Sequence, residues 1–316
     1  TAIGYEALKV NTTGHSLVAV GSTALTANTT GTSNVAIGRQ CLDANTTGGS
    51  NVAVGRGSLG SNTTASNNTA IGTDSATNLT TATDIVAIGM SALADCTTGS
   101  GNVAVGRFAL GDVTTGTGNT AVGGFDGSAQ PALRQNTGSS NTGIGSGALA
   151  SNTSASNNTS VGYKSLGANT TGQFNVAVGG VALDANTTGD FNTAVGENAL
   201  GSATTADNNT AIGKSALITA TTGSSNSALG FAAGQNITTG GNNLCLGNSA
   251  GMSTSPSGNI TDGSNNICLG DNSISNAFIK VAFTVTSDQR DKIEGGTVSH
   301  GLDFVNQLKP KSFWFR

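Results

Sequence analysis

A glycine returns every 17 residues, and that interval constrains the chain more than any other feature: Gly4, Gly21, Gly38, Gly55, Gly72, Gly89, Gly106 and Gly123 each close a phrase N-x-A-[VI]-G or a near variant of it. A longer step reaches Gly145. The count then resumes through Gly162, Gly179, Gly196, Gly213, Gly230 and Gly247, and a second long step ends at Gly270, which makes sixteen copies. Self-similarity at a fixed short period is the signature of a solenoid, in which each copy rests on its neighbours and none folds alone.

The copy itself is patterned. The residue before the glycine is Ile, Val or Leu throughout, as at Val20, Ile37, Val54 and Ile71, and the residue before that is small, as at Ala19, Ala36, Ala53 and Ala70. Neighbouring strand residues point to opposite faces, so the two columns meet different surroundings. We expect the large column to fill the chain's own core and the small one to lie against another chain. Val or Thr stands one place earlier, on the same face as the large residue, and the Asn before it suits a turn or a stacked amide ladder. Four residues after the glycine a Leu recurs (Leu8, Leu25, Leu42, Leu59), and the turn phrase N-T-T-G follows. Two apolar anchors and two Gly or Asn corners predict an all-β fold, a parallel β-solenoid or β-roll of 17-residue coils with two short strands per coil. A single coil buries too little apolar surface to offset the entropy of ordering it, so ladders, stacking and contact with other chains must supply the rest.

Composition narrows the function. Of 316 residues 47 are Gly, only 9% are charged, 4% are aromatic, and the net charge is −4, so no basic surface for nucleic acid is present. Fixed placing of Val, Ile and Leu argues against disorder. No apolar run approaches the roughly 18 residues that span a bilayer, so no membrane insertion is expected, and because Thr1 falls inside a repeat the sequence is expected to be cut from something longer. Cys41, Cys96, Cys245 and Cys268 form no close metal-ligand spacing and read as small buried thiols, with a disulfide or metal site as the alternative, and neither a metal nor a cofactor is expected. Asp43, Asp95, Asp112, Asp184 and Glu197 are scattered singly, whereas glycoside hydrolysis needs a pair of carboxylates. The Thr pairs, such as Thr29-Thr30, read as turns rather than as an ice-binding array or glycan acceptors. The two irregular stretches, 124–140 with Phe125, Pro131 and Arg134 and 251–264 with Pro256, read as loops bulging from the stack. A lateral glycan or receptor contact is the sharper alternative, and a device that fixes register between chains is a third.

The phrase N-x-V-A-I-G, with its alternation of small and large residues, resembles the head repeats of YadA-type trimeric autotransporter adhesins. Such repeats occur in phage fibres as well. Over residues 1–270 the resemblance implies a β-roll shaft assembled as a homotrimer.

Beyond Gly270 the pattern changes. Residues 271–286 carry a transition strand (FIKVAFTVT), and 287–316 carry S-D-x-R-x-K, a helical run with Leu302, Val305 and Leu308 on one face that stops at Pro310, and the aromatic strand SFWFR. This series resembles the opening of the intramolecular chaperone domain of endosialidase-type phage tailspikes and fibres. The resemblance implies a C-terminal α+β segment that aligns the trimer and is released by a single self-cleavage at Thr286–Ser287, with Ser287 as nucleophile and Lys292 as general base. The plain alternative makes Ser287 or Asp288 a helix N-cap. The function expected is that of a virion tail fibre giving reach and host attachment. Its partners would be itself, a host-surface glycan or protein receptor, and other virion or baseplate proteins. A bacterial surface adhesin is the alternative, and the shaft of a polysaccharide-degrading tailspike whose enzyme domain lies outside this chain is the second.

Overall fold

The structure, a computed structural model, describes residues 1–127 and 129–276. The chain divides into two compact units, Thr1–Ile274 and Ser275–Arg316, and the first is an all-β parallel solenoid with no helix among its described residues. Nearly all of the second unit, including the chaperone-like segment, lies outside the described residues. Each copy makes one coil and one short strand, from β1 (Ala2–Ile3), β2 (Val18–Val20) and β3 (Val35–Ile37) to β15 (Leu244–Leu246) and β16 (Ile267–Leu269). All sixteen strands pair in chain order in one parallel sheet, with Val18 on Val35, Ala19 on Ala36 and Val20 on Ile37. Both long steps preserve this register: Val122 pairs with Ile144, and Leu246 with Leu269.

The extra residues leave the stack at two corners. The first loop departs at Gly123 and closes where Ala132 N donates to Gly123 O at 3.1 Å, and the second closes where Ile260 N donates to Gly251 O at 2.9 Å. The loops therefore occupy 124–131 and 252–259, shorter than the irregular stretches in the sequence. Leu133, Asn136 and Asn141 are already back in regular coil positions and fully buried.

The two strand columns are arranged the opposite way from the sequence expectation. Ala19, Ala36, Ala53 and Ala70 are wholly buried inside their own chain, whereas Ile37 is 40% and Ile71 39% exposed on the outer face. Gly143, which occupies the small column, shows the reason: a Cβ there would lie 3.1 Å from Leu133 Cγ and 3.3 Å from Ala148 O. The Leu rank already fills the coil, so the strand's inward side has room for little more than a methyl group. Smallness in this column reflects the chain's own Leu, not a neighbouring chain.

Nor does the coil have a second strand. The recurring Leu is the core anchor, fully buried at Leu25, Leu42 and Leu59, but it sits in a turn with φ of 51°, 52° and 52°. A left-handed backbone costs an L-residue roughly 1–2 kcal/mol, and burial of the Leu side chain offsets it. An extended second strand would instead straighten the corner that aims this side chain inward.

Axial ladders hold the coils together. Asn34 Oδ1 accepts from Asn51 N at 2.9 Å, and Asn51 Oδ1 from Asn68 N at 3.0 Å, while each amide group donates to a carbonyl in the next coil. A second ladder links Asn11, Asn28, Asn45 and Asn62 through side-chain amides, as at 2.9 Å from Asn45 Nδ2 to Asn28 Oδ1. The first Thr of most pairs also donates across coils: Thr29 Oγ1 reaches Thr46 O at 3.0 Å. The repeat glycine is fixed by contact as well as conformation, since at Gly38, with φ of 140°, a Cβ would lie 2.5 Å from Gly55 O.

Candidate functional site

The outer face of the sheet is the largest feature with chemistry to explain. None of the sixteen strands carries a charged residue, and in β2 to β16 the first and third residues point outward. Along that face run Ile37, Ile71, Ile88, Ile144 and Ile212, each between 37% and 40% exposed, and the exposure rises to 52% at Leu229 and 55% at Leu269. Charged side chains sit instead at the corners, where Arg56 meets Asp74 at 2.8 Å and Lys214 meets Glu197 at 2.9 Å. A solvated sheet face normally alternates apolar and polar residues, inward and outward. Here the outward set is mostly Val, Ile, Leu and Thr, which makes a continuous apolar surface of the kind that marks an interaction site.

The second feature is a cleft of about 480 Å³ under the first loop. Two axial hydrogen bonds place its wall, Phe125 N to Arg107 O at 3.1 Å and Gly147 N to Gln130 O at 2.8 Å, so the loop spans the gap between adjacent coils. Asp126 Oδ1 accepts from Ala129 N at 2.8 Å and turns the loop back on itself. Behind Phe125 stands the Arg107 guanidinium, 5.6 Å from the ring centroid and 4.9 Å from that of Phe108. Arg134 secures the other side, donating to Asp112 at 3.1 Å and to Gln130 Oε1 at 2.9 Å. The floor is made by Gly147, Ala150, Gly167 and Ala168, and the polar groups converging on it are Gln130, Ser151, Lys164 and Asp184. Burial pushes the Asp184 carboxyl above its ordinary value, against hydrogen bonds from its own and the Ala185 backbone and the nearby Lys164 charge. An aromatic ring, a flat apolar floor, and separate donors and acceptor suit a polyhydroxylated ring.

The sequence singled out Phe125 and Arg134 and marked Asp184 as one of the scattered carboxylates, but it gave no sign that Lys164 and Asp184 meet under the first loop. These two come from later coils and show themselves only as bulky or charged residues in columns where most copies are small or neutral. Among the described residues that line the cleft, the carboxylate is Asp184. All four cysteines are buried and free, and burial pushes Cys41 up to about 12. Cys245 and Cys268, apart in the sequence, are brought side by side in the sheet. Ser287 and Lys292, with the scissile bond Thr286–Ser287, lie outside the described residues. Neither any family of known proteins nor any curated protein matches the chain.

Proposed function

We propose that residues 1–270 are the shaft of a virion tail fibre, a parallel homotrimer that gives reach and carries a host contact on its flank. The observation that carries this reading is the uncharged, outward Val/Ile/Leu face running along the whole sheet. Exposing such a surface is unfavourable, and a second copy of the same face is a complementary cover. The number three, and the placing on a virion, are what the resemblance to adhesin heads and phage fibres implies. A bacterial surface adhesin shares the same shaft physics. The chaperone-like run at 287–316 favours the fibre, because near-identical coils slip in register cheaply and a C-terminal aligner removes that ambiguity.

The cleft under the first loop supplies the attachment function, with a host-surface glycan as ligand. Saturation-transfer NMR of the full chain with methyl glycosides of glucose, galactose, mannose and N-acetylglucosamine tests it. At least one should receive saturation, and Phe125→Ala and Lys164→Ala should each reduce it several-fold while the circular dichroism spectrum is unchanged. No transfer to any of the four, or equal transfer in both variants, removes the cleft from the account. Self-cleavage is read separately on a denaturing gel. Ser287→Ala or Lys292→Ala should lengthen the chain, and a wild-type chain intact through Arg316 leaves Ser287 as a helix cap.

A further inference from the structure

We propose that Cys245 and Cys268 are a disulfide-forming pair that staples the last described coil of the solenoid to the one before it. Across the other coils this inward column holds Ala, with Gly143 and Ser160 as exceptions; only β15 and β16 place a cysteine there, and they do so on directly paired positions. Registered neighbours in a parallel sheet have Cα atoms about 4.8 Å apart, inside the roughly 4.4–6.8 Å that a disulfide spans. Both side chains point into the same core, exposed by only 1% and 2%. Their sulfurs converge on one spot: a Cβ placed on Gly251 would lie 3.0 Å from Cys245 Sγ and 3.8 Å from Cys268 Sγ.

The position gives the bond a purpose. Among the described residues β16 pairs on one side only, with β15, and its outward Ile267 is 72% exposed. The coil between them is also interrupted by the 252–259 loop, so it is held by fewer continuous contacts than an interior coil. Ends of solenoids open first, since each coil is stabilised by its neighbours. A crosslink between residues 245 and 268 closes the loop-bearing coil covalently and restricts that opening.

The bond forms by thiol–disulfide exchange with a small-molecule disulfide such as oxidised glutathione. The Cys245 thiolate attacks one sulfur of the reagent, giving a mixed disulfide and releasing one glutathione thiolate. The Cys268 thiolate then attacks Cys245 Sγ and releases the second. Two protons leave the cysteines and are taken up by the released thiolates, so the reagent is reduced by two electrons and the protein oxidised by two. In the closed coil, burial pushes Cys245 up to about 12, with the adjacent Cys268 adding to the rise. Exchange therefore belongs to the open coil, during folding or end-fraying, and closure protects the product. Cys41 and Cys96 lie in separate coils with no cysteine paired beside them, and stay as thiols.

The full chain is refolded with mixed oxidised and reduced glutathione, denatured, alkylated with iodoacetamide and mapped without reduction. The expected product has residues 245 and 268 linked, a mass lower by two hydrogens, and alkyl groups on Cys41 and Cys96. Amide exchange at Leu244 and Gly270, which donate to Asn266 O at 2.8 Å and Leu246 O at 2.6 Å, should slow by about tenfold on oxidation. Cys268→Ala, which installs the residue usual in that column, should fold and lose the oxidation-dependent slowing. Alkylation of all four cysteines after oxidative refolding, a crosslink at another pair, or equal exchange in the oxidised and reduced chains overturns the proposal. None of these readings depends on whether the chain associates.

Discussion

Asn186 has a buried Oδ1 with no hydrogen-bond partner, and the cause lies one coil further on. In the run Asn136, Asn152, Asn169, Asn186 each amide reaches back to the oxygen of the one before, but the next residue in the column is Ala203, which donates nothing. The earlier run ends differently: Asn62 Oδ1 accepts from Ala65 N at 3.1 Å. Ala203 is followed by Ala206 in the same spacing, so Ala203→Asn should satisfy Asn186 and cap itself on Ala206. An unsatisfied buried acceptor costs about 1–3 kcal/mol, and after the cost of ordering the new amide a gain of about 1 kcal/mol is expected. Urea unfolding followed by circular dichroism reads it as a rise in midpoint. An unchanged or lower midpoint would show that the orphaned oxygen is not the weakness proposed. Residue identities of this kind were partly legible: the sequence offered a turn or a stacked ladder for the column of Asn34, Asn51 and Asn68, but only a turn for the N-T-T-G column of Asn186, whose ladder and its interruption appear once the coils are stacked.

At the scale of the coil, one bulky aliphatic side chain fills most interiors, with Leu110 and Val113 sharing one as an exception, and the sequence places that volume in two ways. Most coils place Leu four residues after the repeat glycine and a small or polar residue three further on, as at Leu183 with Asn186 and Leu200 with Ala203. Where the Leu is lost its volume reappears at the second position: Ala76 with Leu79, Gly234 with Ile237, Gly251 with Ile260, all six of them buried. At Gly234 a Cβ would lie 2.8 Å from Leu217 Cδ2 and 3.2 Å from Ile237 Cδ1. Gly234→Leu alone should therefore overpack the coil by about 1–3 kcal/mol. Combined with Ile237→Asn, it recreates the prevailing pair, and a double-mutant cycle should show a favourable coupling above about 1 kcal/mol. Additive effects would contradict the shared volume. The period and the Leu anchor were readable from the sequence alone, but the single strand per coil was not. A Leu at positive φ carries no mark comparable to glycine, so Leu25 or Leu42 reads as a strand residue until its backbone is seen.

The whole molecule turns on which strand column faces outward. Size alone did not settle it, because an alanine is required equally by a close neighbouring chain and by a close rank of leucines in the same chain. The cleft was less legible still: its wall is announced by Phe125 and the long step, whereas Lys164 and Asp184 join it only through stacking. With alanine inside, Ala53→Leu should weaken the fold of each chain by about 1–3 kcal/mol, and Ile88→Asp should leave the coil intact while burying a charge in any contact between chains. Sedimentation equilibrium of the full chain, wild type beside Ile88→Asp, tests the central claim most directly. The wild type should sediment at three times the mass of its own chain, which is 30.8 kDa when intact and correspondingly less once residues 287–316 are released, and the variant should dissociate toward a single chain with its circular dichroism spectrum retained. A wild-type chain that sediments as a monomer at micromolar concentration would contradict the account.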